Sequence, residues 1–190
     1  MNRRKFGLGV GCVLVGSVSG CVGQPEQPPE GEQSDGETNT SDTRQLVERD
    51  PSVVNRDVNA APEIQDFPGR DTLSDDATAT AFVQFGASDD SHQVILLTDS
   101  SSPLETTVTI RRTNATPFYN ETVTLSTEAY AVYEFRQYSE FVIEISTAQH
   151  SDTKDVDANL IDCNDSHQFI QLVEDGTIEE ATESTMMGCL

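Results

Sequence analysis

The sequence predicts an all-β domain: a sandwich of about seven to nine strands, built as two antiparallel sheets packed face to face. Three observations predict it. From Ala77 onward, short apolar or alternating runs recur at regular spacing. The same stretch has little helical periodicity. Near its end, Asp175-Gly176 reads as a two-residue hairpin turn between two such runs. About 115 residues are enough to bury one core.

The runs follow one another in order. Ala79–Phe85 is the first. Gln93–Thr98 contains Val94, Ile95, Leu96 and Leu97, a continuous apolar run suited to a central strand. Thr106–Arg112 alternates, with Val108 and Ile110 on one face and Thr107, Thr109 and Arg111 on the other. Thr122–Leu125 repeats the pattern with Val123 and Leu125, and Tyr130–Phe135 follows. Phe141, Ile143 and Ile145 form an inward face, with Glu140, Glu144 and Ser146 outward. Val156–Ile161, Gln168–Glu174 and Thr177–Glu183 complete the set. Before them, residues 46–76 carry scattered apolar residues and prolines at 51, 62 and 68. An early strand near Val53–Val58 fits there, and the remainder reads as irregular chain packed on the domain edge.

Residues 1–20 read as a signal peptide. Arg3, Arg4 and Lys5 make a positive start, and Phe6–Val18 is uncharged and apolar or small. At about 13 residues this run is shorter than the roughly 20 that a membrane-spanning helix needs. Arg3-Arg4 followed by Lys5-Phe6 resembles a twin-arginine export signal. Val18-Ser19-Gly20-Cys21 looks like a lipobox, in which small residues fit the peptidase and the Cys21 thiol takes the lipid. The expected location is therefore the extracellular face of the cell membrane, with the lipid as the anchor. Residues 21–45 then form a tether. Gln24–Gln45 contains no aliphatic or aromatic side chain, so it cannot bury enough apolar surface to offset chain entropy and is expected to be disordered. A coil of that length spans roughly 25 Å.

Charge says what surrounds the domain. The formal net charge is −22, and it becomes −25 once Arg3, Arg4 and Lys5 leave with the signal. Lys154 is the lone lysine of the mature chain. Such self-repulsion destabilises a compact state in ordinary saline, whereas in roughly molar salt the Debye length is about 3 Å and most of it is screened. Acid spread along the whole chain therefore reads as adaptation to high salt. It also argues against nucleic acid as a partner, because phosphates need Lys and Arg.

The order of strands, the corner Phe135-Arg136-Gln137-Tyr138-Ser139-Glu140-Phe141 and the acidic β-rich body resemble the small immunoglobulin-like domains of haloarchaeal lipoproteins. The resemblance covers the signal and roughly residues 79–190. It implies the fold and the location, and no activity.

Four cysteines are present. Cys12 leaves with the signal and Cys21 takes the lipid, so Cys163 and Cys189 remain as an even pair in an oxidising compartment. With Asp175-Gly176 as a two-residue loop, Glu174 faces Thr177, and continuing that register brings Cys163 opposite Gly188, one residue from Cys189. A disulfide between them is expected, worth about 3.5 kcal/mol by the loop-entropy relation.

Candidate chemistry is sparse. Cys163 and His167 have the closeness of blue-copper ligands, yet no methionine follows nearby. Asp90-Ser91-His92-Gln93 recurs as Asp165-Ser166-His167-Gln168, each before an apolar run. The plain reading is turn chemistry that starts a strand. The sharper one is a metal site formed by His92 and His167, with Cys163 as a further ligand. Asp155, Asp157 and Asn159 begin like a calcium loop, but Leu160 stands where glycine is required and Ser166 where glutamate is. Asp89 and Asp90 can at most hold Ca²⁺ loosely. Four Asn-x-Ser/Thr sequons start at Asn39, Asn114, Asn120 and Asn164. Pro117 counts against Asn114 and the neighbouring cysteine against Asn164, so Asn120 is the favoured acceptor. No nucleophile elbow, Walker loop or His-Glu-x-x-His motif occurs, and no cofactor or catalytic residue is assigned. The sequence points to a non-enzymatic surface module that binds another envelope protein or a surface glycan, or acts structurally. The alternatives are a small extracytoplasmic metal or electron carrier and an unrecognised hydrolase.

Overall fold

In the computed structural model, the described residues are 44–62, 72–164, 166–173 and 177–184, all within the unit Asp42–Leu190. The signal peptide, Cys21, Asn39, the Asp175-Gly176 turn and Cys189 lie outside them, as does all of the tether before Arg44.

The described chain is an all-β sandwich of ten strands, which fits the immunoglobulin-like class expected. The strands are β1 (Val53–Asn55), β2 (Thr78–Gly86), β3 (His92–Thr98), β4 (Leu104–Arg112), β5 (Tyr119–Leu125), β6 (Ala129–Arg136), β7 (Phe141–Ser146), β8 (Ser151–Val156), β9 (Ser166–Leu172) and β10 (Ile178–Ser184). One sheet runs β1-β2-β6-β3-β9-β10 and the other β5-β4-β7-β8. The sheets are not wholly antiparallel as the sequence suggested, because β2 pairs with β6 and β3 with β9 in parallel. The cause is the route of the chain. It leaves the six-stranded sheet after β3, builds β4 and β5 in the other sheet, and returns as β6 between β2 and β3. A strand inserted between two sequential neighbours that run oppositely must be parallel to one of them.

Two buried layers follow from the alternation of side chains. Between the sheets lie Val83, Phe85, Val94, Leu96, Val108, Ile110, Tyr133, Phe135, Phe141, Ile143 and Ile145. Phe85 makes edge contacts with Phe118 and Tyr119 and packs against Phe135 at 5.2 Å. On the outer face of the six-stranded sheet, Ala79, Phe82, Ile95, Leu97, Tyr130, Val132 and Phe169 form a second cluster. Ala61, Leu73 and Ala77 pack on it, and the Tyr130 hydroxyl donates to Pro62 O at 3.2 Å. The continuous apolar run of β3 thus has a core on each side.

Two local expectations need correction. The run Val156–Ile161 is not a strand. β8 ends at Val156, and Asp157 then caps a 3-10 turn, Ala158–Leu160, by accepting from Asn159 N. Ala158 and Ile161 are buried from that turn. The β9–β10 register is also one residue off the two-residue-loop arrangement. Leu172 faces Ile178, and Val173 N donates to Thr177 O at 2.8 Å, so Thr177 pairs with Val173. Register follows the buried face: this pairing puts Ile178 beside Leu172 against the core.

Residues 44–56 form a strap across one end of the sandwich. Val47 N donates to Tyr138 O, Gly86 N to Ser52 O and Arg56 N to Phe82 O. The buried Gln137 and Ser139 side chains of the β6–β7 corner donate to Arg49 O and Val47 O. Arg44 pairs with Asp90 at 2.9 Å and Arg112 with Asp50 at 3.0 Å. The expected early strand is present as the short β1, whose register on β2 sets Val54 opposite Gln84. Gly86 ends β2 at φ +94°, where an added Cβ would fall 2.6 Å from Arg136 O, so only glycine fits.

The strap defines an entry end, which also holds the connections after β2, β4, β6 and β8. The far end holds the connections after β3, β5, β7 and β9.

Candidate functional site

The His-Gln part of the repeat, His92-Gln93 and His167-Gln168, falls on neighbouring parallel strands, at the entry end of each. Its two copies are not in step, however. Gln93 faces His167 and Val94 faces Gln168. A stagger of one residue sends equivalent side chains to opposite faces. His92 therefore points between the sheets, with Ser166 and Gln168, while His167 points outward with Gln93. The two histidines do not converge, and no group of three His, Cys, Asp or Glu able to hold a metal occurs among the described residues.

Inside, His92 is fully buried. Ser166 Oγ donates to Leu160 O at 2.8 Å and lies 2.7 Å from His92 Nδ1. It must therefore accept from that nitrogen, which fixes the proton on Nδ1. Gln168 Nε2 donates to Glu180 Oε1 at 2.8 Å, leaving Gln168 Oε1 at 3.4 Å from His92 Nε2. Glu180 and Asp152 both pair with Lys154, at 3.3 and 3.0 Å. This chain of polar contacts joins β3, β9, β10 and β8, and so ties the two sheets along one side. Burial, opposed by the Gln168 hydrogen bond, lowers the His92 pKa from 6.5 to about 4.

Outside, Gln84, Glu134, Gln93 and His167 form a row across β2, β6, β3 and β9. Glu134 is 4% exposed and pairs with Arg136 at 3.0 Å. Gln93 Nε2 donates to Glu134 Oε1 at 3.4 Å, and Arg56 donates to Gln84 Oε1 at 2.6 Å. Sequence reading missed Glu134, since nothing in an apolar run marks one carboxylate as buried. The only available signal was its place opposite Gln93 and Gln84, which needs the register. With its carboxylate held by a guanidinium and an amide, the row is a hydrogen-bonded seam. It presents no nucleophile beside a base.

A hollow of about 230 Å³ opens between the sheets at the far end. Leu104, Leu172, Val173 and Ile178 line its apolar part, and Ser102, Thr147 and His150 lie on its polar side. No Asp, Glu, Lys or Arg is among the described residues that line it. Two other hollows differ in this respect. One, at the entry end, is lined by Glu140, Asp155 and Asp157. The other, beside β1 and β5, includes Arg56 and Glu121. A concavity with an apolar floor and a few polar groups is the usual form of a small-molecule site. Here its described lining carries no Asp, Glu, Lys or Arg within a strongly acidic chain.

The remaining candidates are scattered. Cys163 is exposed in the segment before β9 and is disulfide-bonded; the partner expected for it, Cys189, lies outside the described residues. A disulfide sulfur is no thiolate ligand. Asp90 pairs with Arg44, and Asp157 is the cap described above. Asn114 and Asn120 are exposed and Asn164 is half-buried. No helix among the described residues is long and apolar enough to cross a membrane. No protein-family model matches the chain, and no curated protein matches it.

Proposed function

We propose that the chain is a non-enzymatic binding module, lipid-anchored through Cys21 at the outer face of a halophilic archaeal membrane, with the far-end hollow as its binding site. The twin-arginine signal, the lipobox and the acidic tether support the location, and pairing of Cys163 with Cys189 suits that oxidising compartment. One observation carries the binding role: among the described residues that line it, the far-end hollow has no Asp, Glu, Lys or Arg in a chain of net charge −22, and it sits opposite the end where the strap enters. Its ligand is uncharged and offers a branched apolar group together with a hydroxyl or amide, as part of an envelope protein or a surface glycan.

Methyl NMR in molar salt tests this with three probes of one shape: 3-methylbutanol, 3-methylbutanoate and 3-methylbutylammonium. Saturable shifts of the Leu104, Leu172 and Ile178 methyls are expected with the alcohol alone, and Ala148→Trp should abolish them. Equal responses to the charged probes, or no response to the alcohol, would refute the site. The anchor is checked separately: Cys21→Ser should move the protein from the membrane fraction to the medium.

A further inference from the structure

We infer that Asn114 is the residue of this domain that carries an N-linked glycan. The inference rests on the outward location proposed above. Sequence alone favoured Asn120; the geometry of the sequons reverses the order.

A sequon works as an acceptor when the asparagine amide and the hydroxyl two residues on are both free and the chain between them can turn. Asn120 lies within β5 opposite Thr109. Its Nδ2 donates to Thr109 Oγ1 at 2.7 Å, and the Thr122 hydroxyl shares a hydrogen bond with Thr107 Oγ1 at 3.0 Å. Both acceptor groups are therefore tied to β4 in extended chain. Asn164 is half-buried, with Nδ2 donating to Asp162 Oδ2 at 2.9 Å and its backbone N to Asp162 Oδ1 at 2.8 Å. Asn39 lies outside the described residues.

Asn114 stands apart from these. It is exposed in the connection between β4 and β5, at φ 60°. It occupies the third position of a turn that Ala115 N closes on Arg112 O at 3.0 Å; asparagine tolerates this left-handed conformation better than most residues. Thr116 is exposed as well. Neither the Asn114 amide nor the Thr116 hydroxyl makes a hydrogen bond among the described residues. Pro117, which counted against this sequon in the sequence, biases Thr116 away from helical backbone but lies outside the Asn114–Thr116 acceptor itself, and pairing with β4 resumes only where Phe118 N donates to Ile110 O. The acceptor segment thus stands off the sheet.

The donor is an oligosaccharide linked through C1 to a lipid phosphate. The Nδ2–C1 bond forms as the C1–O bond to the lipid phosphate breaks. The phosphate leaves with the electron pair, and one Nδ2 proton passes to a base of the transferase. Because the β4–β5 connection is at the entry end, the glycan flanks the strap and leaves the far-end hollow open.

The test is mass spectrometry of the protein from a halophilic archaeal host. The tryptic peptide Thr113–Arg136 holds both exposed sequons, so variants assign the site. The glycan mass is expected on this peptide in the wild type and in Asn120→Gln, and its complete loss is expected in Asn114→Gln and Thr116→Ala. An unmodified wild-type peptide, or a glycan kept by Asn114→Gln and lost by Asn120→Gln, overturns the inference. Proteinase K digestion of intact cells reads the location separately. Protein that is digested from outside but bare at Asn114 overturns the glycan alone; protected protein overturns the location with it.

Discussion

Both ring nitrogens of His92 are engaged between the sheets, but neutral imidazole supplies one proton to two acceptors. Ser166 Oγ takes it, and Gln168 Oε1 is left facing a lone pair at 3.4 Å. Protonation would satisfy Gln168 but would bury a charge, and burial wins, lowering the pKa to about 4. Between about 4 and 6.5 the folded protein then binds fewer protons at this site than the unfolded chain. The stabilisation is complete above pH 6.5 and is lost as pH falls toward 4, to a total of about 3 kcal/mol. Unfolding followed in molar salt at neutral pH and at about pH 4.5 should show this loss in the wild type beyond that in His92→Gln. An identical slope in the two proteins would remove His92 from the account. That His92 and His167 each stand where an apolar strand starts could be read from the sequence. That they face opposite ways could not, because the one-residue stagger of β3 on β9 is a property of pairing.

The elements that sequence reading found are those that bury an alternating or continuous apolar face: β2, β3, β4, β6 and β7 lie close to their predicted runs. It missed β8 because Ser151-Asp152-Thr153-Lys154-Asp155-Val156, the edge of its sheet, buries only Val156. Edge strands of this kind are held by backbone pairing and polar contacts, which leave no hydrophobic signature. The strap was harder still. Leu46, Val53 and Val54 remain exposed and Pro51 is its one buried residue, so its hold on the domain is mainly hydrogen bonding to Tyr138, Gln137, Ser139 and Gly86, with the Arg44–Asp90 and Arg112–Asp50 ion pairs beside it. A chain that begins at Asp57 is expected to lose about 2 kcal/mol or more relative to one that begins at Arg44, read as a lower melting temperature in molar salt. Equal melting temperatures would mean that the strap merely rests on the surface.

At the scale of the molecule, charge is the dominant quantity. A net charge of −22 on the full chain, with Lys154 already committed to Asp152 and Glu180, leaves little internal compensation. Dilution from molar to millimolar salt lengthens the Debye length from about 3 Å to 30 Å or more. The fold is therefore expected to loosen, with loss of β-sheet circular dichroism that returning the salt restores. A spectrum indifferent to salt would contradict the salt-adapted reading. The far-end hollow was invisible in the sequence, since Leu104, Thr147 and Ile178 are separated in the chain and meet only when the two sheets close. The parallel pairs also bear on the timing of assembly. β6 must slot between β2 and β3, and β3 gains its other neighbour only when Leu172 is available. No early portion of the chain can therefore finish the larger sheet. Folding becomes a late, all-at-once event that follows synthesis, and loop closure between distant segments sets its rate.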